Sequence, residues 1–133
     1  MANSLYGKAR QDFLNGALNW GAITAKLVLV DLTDYTLSID VDQHLSDIPL
    51  AARVATSGAL ANKTSTLGVA DADDIIIAGV TGDQFEAVVL YEDTGTATTS
   101  RLIAYWDTAG GLPLTPNGGA VSTTFNALGI FSL

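Results

Sequence analysis

Residues 85–107 read FEAVVLYEDTGTATTSRLIAYWD, and this stretch decides the fold. Two apolar runs, 85–92 and 101–107, are rich in valine, isoleucine and aromatic residues, the types that favour a pleated surface. The polar run Asp93-Thr94-Gly95-Thr96-Ala97-Thr98-Thr99 joins them, so the pair reads as a β-hairpin with a long loop. In the second run Tyr105 and Trp106 are adjacent, which places one ring on each face of a sheet.

Working outward, the same β-favouring pattern recurs in short runs separated by turn residues. Strands are expected at 53–60, 74–80 and 120–126, punctuated by Pro49, Gly58, Gly68, Gly79, Gly82 and the pairs Gly110-Gly111 and Gly118-Gly119. Residues 130–133 add a short final strand. Toward the N-terminus, Ile23, Ala25, Leu27 and Leu29 alternate with Thr24, Lys26, Val28 and Val30. That is a strand wet on one face in its first half and buried on both in its second. Only residues 3–15 are helical in pattern: Leu5, Ala9 and Phe13 recur at four-residue spacing beside Tyr6 and Leu14. Asn3 or Ser4 is placed to cap this helix and Gly16 to end it. The expected fold is mainly β, an antiparallel β-sandwich or barrel with a short N-terminal helix. It forms one domain over 1–133, with a helical segment at 1–16 and a β core at 20–133.

Composition excludes several kinds of function. The chain of 133 residues carries 14 Asp plus Glu against 6 Lys plus Arg, a net charge of -8, which opposes neutralisation of nucleic-acid phosphates. Cysteine is absent, which removes disulfides, thiolate metal sites and cysteine nucleophiles together. No apolar run approaches the roughly 20 residues of a membrane-crossing helix, and the first residues lack the apolar stretch of a secretory signal. Without such a signal, Asn62-Lys63-Thr64 reads as a turn and not as a glycosylation acceptor. Charged residues are only 15% of the chain, against about 25% in ordinary soluble domains, and mean hydropathy is positive at +0.32. Apolar surface is therefore expected to be covered by association, as a dimer or trimer.

Chemistry-bearing groups are sparse. The single histidine, His44, falls at alternate spacing with Asp42 and Asp40, so an extended segment would point all three to one side. Asp71, Asp73 and Asp74 resemble the start of a calcium loop, but the glycine and closing glutamate of such a loop are missing. Both groups are incomplete ligand sets, and turns or solvated faces are expected in place of a metal site. No serine sits in a Gly-x-Ser-x-Gly elbow, and neither glycine pair is followed by the Lys-Ser/Thr of a phosphate loop. No enzyme activity and no cofactor are expected.

The segments LSDIPLAARVATSGAL (45–60), GVADADDI (68–75) and LYEDTGTATTSRLIAYWDTAGGLPLTPNGG (90–119), together with the opening ANSLYGKARQDFLNG, resemble a family of small tailed-phage structural proteins. The resemblance spans nearly the whole chain, except that Thr124 to Gly129 stand where such proteins often carry a tryptophan followed by polar residues. It implies a virion component assembled in the host bacterial cytoplasm. The implied role is a capsid cement or decoration protein whose partner is the major capsid protein, with a tail-associated structural or receptor- or carbohydrate-binding module as the alternative. The short N-terminal helix needs an apolar surface to hold it. That surface is either a neighbouring subunit, met through Leu5, Tyr6, Phe13 and Leu14, or the chain's own sheet.

Overall fold

The computed structural model describes residues 4–108, 111–126 and 128–133. In chain order its elements are β1 (Ser4–Leu5), α1 (Gly7–Leu14), β2 (Ala25–Val30), β3 (Arg53–Thr56), β4 (Val69–Ala70), β5 (Ile75–Ile77), β6 (Ala87–Glu92), β7 (Leu102–Trp106), β8 (Val121–Thr123) and β9 (Phe131–Ser132). Strand accounts for 31% and helix for 13%, the latter counting three 3-10 turns at Leu45–Asp47, Leu50–Ala52 and Thr66–Gly68 beside α1, so the fold is mainly β with one short N-terminal α-helix. Five strands form an antiparallel sheet in the order β1-β7-β6-β2-β3, and two antiparallel ribbons, β4-β9 and β5-β8, accompany it. The sheet ends at β1 and β3, and among the described residues it does not close into a barrel, which agrees with the sandwich of the two expected forms.

The hairpin of β6 and β7 forms as expected, with Val88 opposite Trp106 and Val89 opposite Tyr105. Register continues into β2, where Leu29 faces Val88 and Val28 faces Val89. Paired residues share a face. Leu29, Val88 and Trp106 therefore lie on one side of the sheet, and Val28, Val89 and Tyr105 on the other. Leu27 to Val30 are all buried while Lys26 is half-exposed, the two-phase pattern read from the sequence. Full burial of a leucine such as Leu29 contributes about 1.5–3 kcal/mol. On its face, Leu29 packs with Ile77, Val80 and Phe85, joined by Val121 and Leu114. These residues bring the β5-β8 ribbon over the sheet as part of a second layer.

Helix α1 starts at Gly7, not at residue 3. Ser4 and Leu5 are extended and pair with Tyr105 and Ala104 at the sheet edge, while the Tyr6 N–H donates to Ile103 O at 2.9 Å and the Gly7 N–H to Ile39 O at 2.8 Å. Those donors are spent on neighbouring chain, which competes with helix initiation. Ser4 accordingly gives no cap, and Asn3 lies outside the described residues. At the other end Gly16, at φ +77, stops the helix as expected. Other strands are shorter than their apolar runs. β3 ends at Thr56, yet Ser57 N–H and Leu60 N–H still donate to Leu27 O and Ala25 O, each at 2.8 Å. The run 53–60 thus tracks β2 to its start beyond the regular ladder.

Candidate functional site

The N-terminal segment divides between inside and outside. Tyr6 is fully buried, and its hydroxyl lies 3.1 Å from that of Tyr35, which donates to Asp42 Oδ2 at 2.6 Å. Burial is the main reason both phenols are pushed well above their ordinary range. Leu5 and Phe13 are half-buried against the core, with the Phe13 ring 5.7 Å from that of Phe131. Leu14 points outward, 89% exposed. Of the four residues singled out from the helical stripe, Tyr6 is fully buried, Leu5 and Phe13 are half-buried and Leu14 is largely in solvent.

Polar contacts fix the same segment. Arg101 Nε lies 3.3 Å from Asp12 Oδ2, and its Nη1 lies 3.4 Å from Glu92 Oε1. Neither Asp12 Oδ2 nor Arg101 Nε makes a hydrogen bond, so the ion contact alone compensates their desolvation. It clamps α1 to the β6-β7 hairpin.

Asp40, Asp42 and His44 do not converge. Ser38 O accepts from Val41 N–H and Asp42 N–H, a turn that breaks the extended geometry on which alternate spacing depends. Asp40 pairs with Arg10 at 3.7 Å, Asp42 accepts from Tyr35 and Ser38, and the His44 N–H donates to Asp47. Asp71, Asp73 and Asp74 also diverge: Asp71 accepts from Ala72 N–H, Asp73 from the Asn62 side chain at 2.6 Å, and Asp74 from Phe125 N–H at 2.8 Å. Asp71 closes a bond within its own turn, while Asp73 and Asp74 tie it to two different distant segments.

Sequence reading missed another acidic group. Asp31, Asp34 and Asp83 bring carboxylate oxygens within 4.8 Å of one another, Asp31 buried and the other two exposed. Asp31 to Asp34 form a turn, with Thr33 N–H on Asp31 Oδ1, and Asp83 arrives from a distant loop. No local spacing signals that meeting.

Two surface features remain. Large apolar side chains stand in solvent: Leu67 is 97% exposed and Leu128 86%, with Val41, Leu50, Ile76 and Leu133 also exposed. Leu67 and Leu133 flank one end of the β4-β9 ribbon, where the Leu133 N–H donates to Gly68 O. The second feature is a cleft of about 410 Å3. Its floor is the Leu27, Leu29 and Val88 face of the sheet, and Trp106 lies at its side; β8 and the approach to β9 supply the opposite wall through Val121, Phe125 and Ile130. Trp106 is half-buried while Tyr105 is fully inside, so of the two adjacent rings one is core and the other reaches the cleft.

Among the described residues no helix is long and apolar enough to cross a membrane. Comparison with models of known protein families and with curated protein sequences gives no match.

Proposed function

We propose that the protein is a non-enzymatic virion component, a capsid cement or decoration protein that binds the lattice of the major capsid protein and stabilises the head. The observation that carries this reading is the set of leucines left in solvent, Leu14, Leu67 and Leu128 above all, on a chain with few charges. Single exposed leucines are ordinary on a protein surface. Here they accompany a positive mean hydropathy and the resemblance to small phage structural proteins.

Covering one such side chain at an interface is worth about 1.5–3 kcal/mol. Three of them offset much of an association cost of about 4–15 kcal/mol. The net gain per copy is then modest, and its effect on a shell comes from repetition over the lattice. Self-association as a dimer or trimer about a symmetry axis belongs to the same reading.

Particles assembled without the protein should rupture at lower temperature than complete ones. The triple variant Leu14→Ser, Leu67→Ser, Leu128→Ser should keep its circular dichroism spectrum and lose particle binding. Equal robustness of particles with and without the protein would overturn the proposal. Cryo-electron microscopy that located the protein on the tail alone would favour the tail-associated module instead.

A further inference from the structure

We infer that the cleft beside β8 is a binding site for a neutral, predominantly apolar small molecule of roughly fifteen non-hydrogen atoms, a site independent of the capsid reading. Its origin is topological. Among the described residues no strand lies between the end of β8 at Thr123 and the start of β9 at Phe131, and this stretch borders the cleft through Thr124, Phe125, Asn126, Gly129 and Ile130. The apolar side chains that reach the cleft are the half-buried Val88, Trp106, Leu112, Val121, Phe125 and Ile130, with Leu27, Leu29 and Phe85 fully buried behind them.

Three properties define the ligand. Size comes first: about 410 Å3 lies within the range of about 300–1,000 Å3 typical of small-molecule pockets, and at about 25–30 Å3 per atom-sized volume it holds roughly fifteen heavy atoms. Charge comes second. None of the described lining residues is charged, although the chain carries a net charge of -8. An ionised ligand would lose its hydration without gaining a counter-charge, so a neutral one is selected. The third property is polarity at the rim. Ser122, Thr124 and Asn126 line the cleft and offer two hydroxyls and an amide N–H, whereas the Asn126 Oδ1 is already spent on the Leu128 N–H at 2.8 Å and the Thr123 hydroxyl on Ile75 O at 2.7 Å. A molecule with an aliphatic or aromatic body and one uncharged polar end matches this arrangement, its body against Trp106 and the sheet.

The full chain should be titrated with N-phenyl-1-naphthylamine, a neutral aromatic amine, and in parallel with 1-anilinonaphthalene-8-sulfonate, which adds a negative charge to a similar ring system. The neutral probe is expected to bind saturably, one per chain, at least tenfold more tightly than the sulfonate. Val88→Phe, which fills the floor, should weaken that binding at least tenfold while leaving the circular dichroism spectrum unchanged. A second readout needs no variant: amide chemical shifts of the unmodified chain on adding 1-decanol should move around Val88, Trp106 and Val121. Unsaturable binding, several probes per chain, equal affinity for the sulfonate, or shifts centred on Leu14 and Leu67 would each overturn the inference. Should Val88→Phe fail to fold, the chemical shifts decide the question. Loss of particle stabilisation has no bearing on these readouts, so this inference and the capsid proposal fail separately.

Discussion

Removing residues 1–15 should unfold the protein, not merely detach it from a partner. The deletion strips Tyr6 from a site where it is fully buried, and loss of a buried large aromatic side chain costs about 3–5 kcal/mol. It also removes the Phe13–Phe131 contact, worth about 0.5–1.5 kcal/mol beyond its area. The Asp12 carboxylate beside Arg101 and the β1 edge bonds are lost as well. A total of at least about 5 kcal/mol stands against the about 5–15 kcal/mol that holds a typical domain together. With an m-value of about 1–3 kcal/mol per molar urea, the midpoint should fall by about 2 M or more, or the cooperative transition should vanish. Urea titration followed by far-ultraviolet circular dichroism measures this directly. The companion variant Tyr6→Phe keeps the ring and loses the hydroxyl contact with Tyr35, so it should cost only about 0.5–1.5 kcal/mol. A truncated chain that unfolds cooperatively within about 0.5 M of the full chain would refute the reasoning and return the segment to the role of a detachable arm.

Two further outcomes follow from the polar contacts. Arg101→Met removes the cation facing Asp12 and Glu92, whose side chains are only 13% and 14% exposed; partial exposure of Arg101 itself reduces the penalty to about 1–3 kcal/mol, and an unchanged urea midpoint would contradict it. Acid should destabilise the fold through Asp93 and Asp47. The Lys26 ammonium at 2.7 Å holds the Asp93 carboxyl below its usual range, and the backbone N–H groups of His44 and then Gln43 do the same for Asp47. Because the folded values lie below the unfolded ones, this stability is fully present above about pH 4–5 and is lost as pH falls through the folded values. The urea midpoint should therefore drop on acidification below about pH 4, less steeply in Lys26→Met, and identical slopes for the two chains would exclude the Asp93 contribution.

What was legible in the sequence is what short-range periodicity encodes. The β6-β7 hairpin and the two-phase burial of β2 follow from apolar alternation along single segments, and Gly16 marks a helix end by its own backbone freedom. What escaped depends on meetings between distant segments. Ser4 and Leu5 carry part of a helical stripe, and they become a strand because Ala104 and Tyr105 offer an open edge. β4 is only two residues long and exists through its pairing with Phe131 and Ser132. The alternate spacing of Asp40, Asp42 and His44 presumed an extended chain, which the turn on Ser38 O removes. The acidic group of Asp31, Asp34 and Asp83 and the cleft beside Trp106 are both assembled by tertiary structure, and no local pattern announces either.

The sheet's two borders bear on how such an apolar chain can associate without running away into fibres. Among the described residues one border, β1, spans two residues and the other, β3, four, with an irregular register against β2 between Leu29 and Val30. Fibrillar growth needs a long, flat row of unpaired amides as its template, and neither border supplies one. Contacts with other molecules are thereby left to protruding side chains, which occupy a finite footprint and then are full. Under the capsid proposal, growth by such contacts stops when the sites of the partner are occupied, which is what a coat of fixed stoichiometry requires.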